Sequence, residues 1–117
     1  MRTVAVAVLF LFLAGAACAA PLYSFKILAS AYCPCEKCCG KWSKNGLTRS
    51  GRRPTPRRTI AADPHVFPLG SCLRINGTQY QVEDIGSAIK GRRVDIFHAS
   101  HSEALKFGRQ ELTATFC

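Results

Sequence analysis

Seven residues of the chain are acidic, few enough to weigh one by one as candidates for acid–base work. Glu36, Glu103 and Glu111 stand in polar surroundings and give no signal. Three aspartates stand out by context: Asp63 before Pro64, Asp84 at the end of an apolar stretch, and Asp95 inside one. Asp95 lies between Val94 and Ile96, so in a strand its side chain faces away from theirs; an ordinary outward polar position explains the same pattern. The loop Ile85 to Gly91 is flexible enough to return the chain and bring Asp84 towards Asp95. Two neighbouring carboxylates, one held protonated as an acid and one ionised beside developing positive charge, are what glycan cleavage requires.

Such residues need a frame. Ser24 to Tyr32 alternates apolar and polar positions and is expected as a first strand. Cys33 to Arg58 is rich in Cys, Gly, Pro and basic residues, Lys41, Lys44, Arg49, Arg52, Arg53, Arg57 and Arg58 among them, and reads as a long basic loop. Short strands then follow at Thr59 to Ala62, Ser71 to Asn76, Thr78 to Glu83, Arg93 to Phe97 and Gln110 to Phe116. Asp63-Pro64 marks a turn, Asn76-Gly77 a hairpin turn, and Ser102 to Phe107 a short helix stopped by Gly108. Closely spaced short strands with turn chemistry between them point to a small β-barrel.

Arg2 followed by the apolar run Val4 to Ala17 and by Ala17-Cys18-Ala19 has the form of a secretory leader. The expected organisation is a leader over residues 1–19, a short lead over 20–26 and one domain over 27–117. Loss of Cys18 leaves Cys33, Cys35, Cys38, Cys39, Cys72 and Cys117. An even count in a short exported chain is expected to form a disulfide framework whose pairing the sequence does not choose. Cys35 and Cys38 have ligand-like spacing, but with no second such pair and no histidine pair nearby, no metal is expected. No cofactor motif is present either. The formal charge of +9 favours anionic partners; for an exported chain these are cell-wall polymers rather than nucleic acid, with no membrane insertion once the leader is removed.

The runs Ala29-Ser30-Ala31-Tyr32-Cys33-Pro34-Cys35, Gly46 to Gly51, Ile60 to Pro64, Phe67 to Ser71, Asp84-Ile85-Gly86-Ser87-Ala88-Ile89-Lys90-Gly91 and Val94-Asp95-Ile96-Phe97 resemble, in this order, the three-aspartate (3D) domain. The Asp84 to Phe97 block also resembles the catalytic region of the membrane-bound lytic transglycosylase A family and of Gram-positive stationary-phase muralytic proteins. The resemblance implies an all-β fold, a six-stranded double-psi β-barrel with stapled loops and at most one or two short helices. It implies Asp95 as acid/base, with Asp84 and Asp63 as the other two aspartates, and Lys90, Thr48 and Tyr32 along a groove for peptidoglycan glycan strands. Arg49, where a small residue is usual, and Ser87, where glycine is common, depart from the pattern without touching an aspartate. The implied activity is cleavage of the MurNAc–GlcNAc β-1,4 bond with 1,6-anhydro-MurNAc formation, in the periplasm, the wall or the medium. A hydrolase, a wall-binding module of the same fold and a cysteine-rich defence protein remain alternatives at this point.

Overall fold

The computed structural model describes residues 23–40 and 46–117. The expected leader, the start of the lead, and Lys41 and Lys44 lie outside the described residues. The elements are β1 (Ser24–Tyr32), a one-turn helix α1 (Glu36–Cys39), β2 (Thr59–Ala62), β3 (Cys72–Ile75), β4 (Thr78–Asp84), β5 (Arg93–Phe97), α2 (His101–Phe107) and β6 (Gln110–Phe116). The strands close into a barrel in the order β1-β5-β2-β4-β3-β6. β1 with β5 and β2 with β4 run parallel, and the other pairs are antiparallel. The closed six-stranded barrel with two short helices is the architecture expected, and its two parallel pairs are consistent with double-psi connectivity.

Alternation decides what fills the barrel. Phe25, Ile27 and Ala29 of β1, Ile60 and Ala62 of β2, Leu73 and Ile75 of β3, Val82 of β4, Val94 and Ile96 of β5, and Ala114 of β6 form one buried cluster. Each large apolar side chain removed from water there contributes about 1.5–3 kcal/mol. Phe67 caps the cluster, its ring 5.6 Å from that of Phe25. The β3–β4 turn places Asn76 at φ 50° and Gly77 at φ 79°, the paired left-handed conformation that twists a two-residue hairpin correctly and that Asn-Gly tolerates best. Ser100 caps α2, its Oγ accepting the Glu103 N–H at 3.2 Å, and Gly108 ends the helix at φ 62°.

One irregularity matters for the site. Ile60 pairs with Val82, but the next residue, Ala61, pairs with Asp84. Glu83 is thus the extra residue of a bulge, and a bulge re-aims the side chains that follow it. In an unbroken register Glu83 would stand beside Ala61, and Asp84 would turn to the other face.

The cysteines divide unequally. Cys72 and Cys117 form a disulfide, Cα–Cα 5.3 Å, which ties the end of β6 to the start of β3. Cys33, Cys35, Cys38 and Cys39 are unbonded here, so one pair of the disulfide framework expected for six cysteines is present. The physical reason is convergence. Sγ of Cys33 lies 2.9 Å from that of Cys35 and 3.3 Å from that of Cys38, beyond the roughly 2.05 Å of a disulfide bond, and one sulfur faces two others instead of a single mate.

Candidate active site

The barrel brings four residues into one row across adjacent strands. Ser30 of β1 is opposite Asp95 of β5, Asp95 is opposite Ala61 of β2, and Ala61 is opposite Asp84 of β4. Opposite residues share a face of the sheet. Because Val94 and Ile96 point into the core, this row lies on the outer face. Asp84 and Asp95 therefore flank the methyl group of Ala61, two strand spacings or about 10 Å apart at Cα. The small residue between them leaves a floor instead of a wall.

Tyr32 and Phe97, each two residues beyond the row, share its face and pack edge-on at a 5.3 Å ring distance. Cys38 and Cys39 of α1 pack against this pair and Ala61. Together they shape a hollow of about 140 Å³ whose lining includes both aspartates, Tyr32, Ala61 and Gly86. A second hollow shares Tyr32, Cys39 and Asp84 and continues towards Thr48 and Phe97. The two make a groove that crosses Asp84.

The carboxylates differ in surroundings. Asp84 accepts three hydrogen bonds, from Tyr32 Oη at 3.2 Å and from the backbone N–H groups of Arg49 and Ile85 at 3.0 Å each. Asp95 accepts one, from Ser30 Oγ at 2.9 Å on Oδ1; its Oδ2 has no partner among the described residues. Loss of hydration pushes the Asp95 carboxyl above the usual range; Ser30 and Arg93 pull it back and Asp84 pushes it further up. Burial, aided by the charge of Asp84, drives the Tyr32 phenol far up, so Tyr32 stays protonated and donates. This arrangement, one desolvated carboxyl with a free oxygen beside another surrounded by donors, suits proton transfer to a bound group.

The remaining site candidates fall elsewhere. Asp63 follows β2 and knits two loops together: Oδ2 accepts the Gly91 N–H at 2.9 Å, and Oδ1 accepts the His65 N–H at 3.0 Å. Those backbone donors, Gly91 first, hold it below the usual carboxylate range. Thr48 is buried, and its Oγ1 donates to Arg52 O at 2.9 Å, fixing the turn whose Arg49 N–H reaches Asp84. Lys90 is exposed and forms no ion pair among the described residues.

Three contributors escaped the sequence reading. Ser30 was visible only as an outward position on a strand, because its meaning depends on the β1–β5 register. Glu83, 4% exposed, accepts Thr59 Oγ1 at 2.7 Å and pairs with Arg58 and Arg52 at 3.4 and 3.5 Å. It anchors the basic loop to the barrel. His101 lies far from the cysteines in sequence, yet its Nδ1 stands 3.4–3.6 Å from the Sγ atoms of Cys33, Cys35 and Cys38. These four ligand-type atoms all fall within 4.8 Å of one another.

A barrel of this shape also occurs within larger proteins. The crystal structure of MltA from Escherichia coli, described as having a lytic transglycosylase fold, superposes with a TM-score of 0.53 at 20% identity, over 60% of this chain and 26% of that one. A further MltA structure holds chitohexaose. At that identity the likeness concerns the fold. The family model of the 3D domain matches residues 58–117, and the chain belongs to that family. Two relatives come from Bacillus subtilis (strain 168). YabE, named for cell wall shaping, is 43% identical over 54 residues, 45% of this chain and 13% of its own length. The cell wall-binding protein YocH is 37% identical over 68 residues, 55% of this chain and 24% of its own. The chain thus spans a quarter or less of the length of these two relatives.

Proposed function

We propose that this chain acts outside the cytosol as a peptidoglycan lytic transglycosylase, with Asp95 as its acid/base. The observation that carries the reading is the contrast within the aspartate row. Asp95 lines the groove, is desolvated and has no partner on Oδ2 among the described residues, while Asp84 is already engaged by three donors. Membership of the 3D family and the wall-related names of its relatives support peptidoglycan as the substrate.

In this mechanism the protonated Oδ2 of Asp95 donates to the glycosidic oxygen as the bond from MurNAc C1 breaks, releasing the GlcNAc 4-hydroxyl. Asp84 stands two strands away to stabilise the oxocarbenium-like charge on the sugar ring. The 6-hydroxyl of the same MurNAc then attacks C1 and gives its proton to the Asp95 carboxylate. The ring closes as a 1,6-anhydro sugar and the acid is restored. One group serves both steps because the nucleophile belongs to the substrate, which replaces a bimolecular attack with an intramolecular one. Tyr32 and Phe97 offer apolar surface to a sugar face, and the basic loop offers positive charge to stem-peptide carboxylates.

Mass spectrometry of purified peptidoglycan incubated with the protein carrying its Cys72–Cys117 bond tests this reading. Muropeptides ending in 1,6-anhydro-MurNAc are expected, and Asp95→Asn should release at least about a hundredfold less. Reducing-end products would make the protein a hydrolase on the same barrel. Sacculus binding without soluble product, equal in the wild type and Asp95→Asn, would support the second reading, a wall-binding module, which the name of YocH favours.

A further inference from the structure

We propose that Cys33, Cys35, Cys38 and His101 form a structural zinc site that clamps the groove-forming end of the barrel. No sequence spacing announces it, since His101 is 68 residues from Cys33. The parallel β1–β5 pair creates it. Two parallel strands end at the same side of a sheet, so the chain leaving β1 at Cys33 and the chain leaving β5 towards His101 emerge together. The His98 N–H donates to Tyr32 O at 2.7 Å and extends that pairing to the point of divergence. The single turn of α1 then places Cys35 and Cys38, three residues apart, on one side of the helix.

The geometry fits an ion at the centre. Zinc bound tetrahedrally at about 2.3 Å from sulfur and about 2.0–2.1 Å from nitrogen sets S···N edges near 3.5 Å and S···S edges near 3.8 Å. The three sulfur-to-Nδ1 distances are 3.6, 3.4 and 3.6 Å. The sulfurs, at 2.9 and 3.3 Å from Cys33 Sγ, need move apart by less than about 1 Å to seat the ion. Three thiolates and one imidazole are a soft, tetrahedral donor set, and four protein ligands leave no open position, so the site is structural instead of catalytic. On binding, the three thiols release their protons to solvent and the imidazole coordinates through neutral Nδ1.

Cys39 is the internal control. Its Sγ donates to the Cys33 carbonyl at 3.2 Å, and it lines the groove beside Tyr32 and Asp84, outside the ligand group. Zinc would therefore fix β1, α1 and α2 to one another while leaving one thiol in the groove. This inference does not depend on the proposed activity, because its readouts are metal content and spectra.

The test is elemental analysis of the full chain expressed in zinc-supplemented medium, followed by cobalt substitution under anaerobic conditions. One zinc per chain is expected. The cobalt form should show thiolate-to-metal charge transfer in the near ultraviolet and the intense visible bands of a tetrahedral ion. Cys35→Ser and His101→Ala should lower zinc affinity at least about tenfold, whereas Cys39→Ser keeps full stoichiometry. Circular dichroism of the sheet and an intact Cys72–Cys117 bond check that the variants are folded. Three results would each overturn the site: a folded wild-type chain with the Cys72–Cys117 bond intact and the other four thiols reduced that takes up no zinc, an intact mass showing extra disulfides among the four cysteines, or loss of metal in Cys39→Ser equal to that in Cys35→Ser.

Discussion

Ser30 and Asp84 act on the Asp95 carboxyl in opposite senses, and this sets how the site should respond to pH. The Ser30 hydrogen bond favours the ionised form, and the Asp84 charge opposes it. If catalysis uses the protonated acid, activity falls as pH rises through the raised Asp95 pKa. Ser30→Ala is expected to move that falling limb to higher pH and Asp84→Asn to lower pH, read from pH profiles of muropeptide release and from NMR titration of the Asp95 carboxyl. Both variants shifting the same way would disprove the electrostatic account. Stability follows the same linkage. A carboxyl whose folded pKa is raised stabilises most below its unfolded pKa, and that contribution is lost as pH rises through the folded pKa. Asp95→Asn should accordingly unfold at a higher denaturant concentration than the wild type near neutral pH and lose this advantage in acid.

Between residues and molecule, the bulge in β4 does two jobs, turning Asp84 to the groove and sending the Glu83 side chain to bind the basic loop. Glu83→Ala leaves Thr59, which is fully buried, without its acceptor and frees two arginines that are 63% and 36% exposed. Solvent recovers part of the loss at the arginines, so destabilisation of about 2 kcal/mol is expected in urea unfolding. Asp63 links the turn after β2 to the loop before β5 through the Gly91 N–H. Its lowered pKa means a contribution present above its unfolded pKa and lost as pH falls through the folded one. Asp63→Asn should therefore lower stability near neutral pH and match the wild type at low pH, flattening the stability–pH curve between them. These elements also mark where the sequence was readable. β1, β5 and β6 announce themselves by alternation, and the Asn76-Gly77 turn by backbone chemistry, because both signals are local. The bulge is not local: only the offset between Ile60–Val82 and Ala61–Asp84 shows that Glu83 and Asp84 have separate tasks. His101 was illegible for the same reason, since a parallel pair joins points that no spacing rule connects.

At the scale of the whole barrel, β6 is the closing strand, antiparallel to β1 on one side and β3 on the other, and the Cys72–Cys117 bond locks it. That bond closes a loop of 45 residues, for which chain entropy alone gives about 4 kcal/mol. The double variant Cys72→Ser/Cys117→Ser should lose about 2–4 kcal/mol in urea unfolding, and a smaller loss would mean that strand pairing alone holds β6. The strand order has a consequence for synthesis. β1 is the first of these strands to leave the ribosome, yet its strand partners among the described residues, β5 and β6, are the last two made. A growing chain has nothing to pair its first strand with until nearly the whole domain exists, and contacts between distant segments form slowly. The nascent domain is thereby kept threadable, passing through narrow spaces as an open chain and committing to its shape only once its last strands are made.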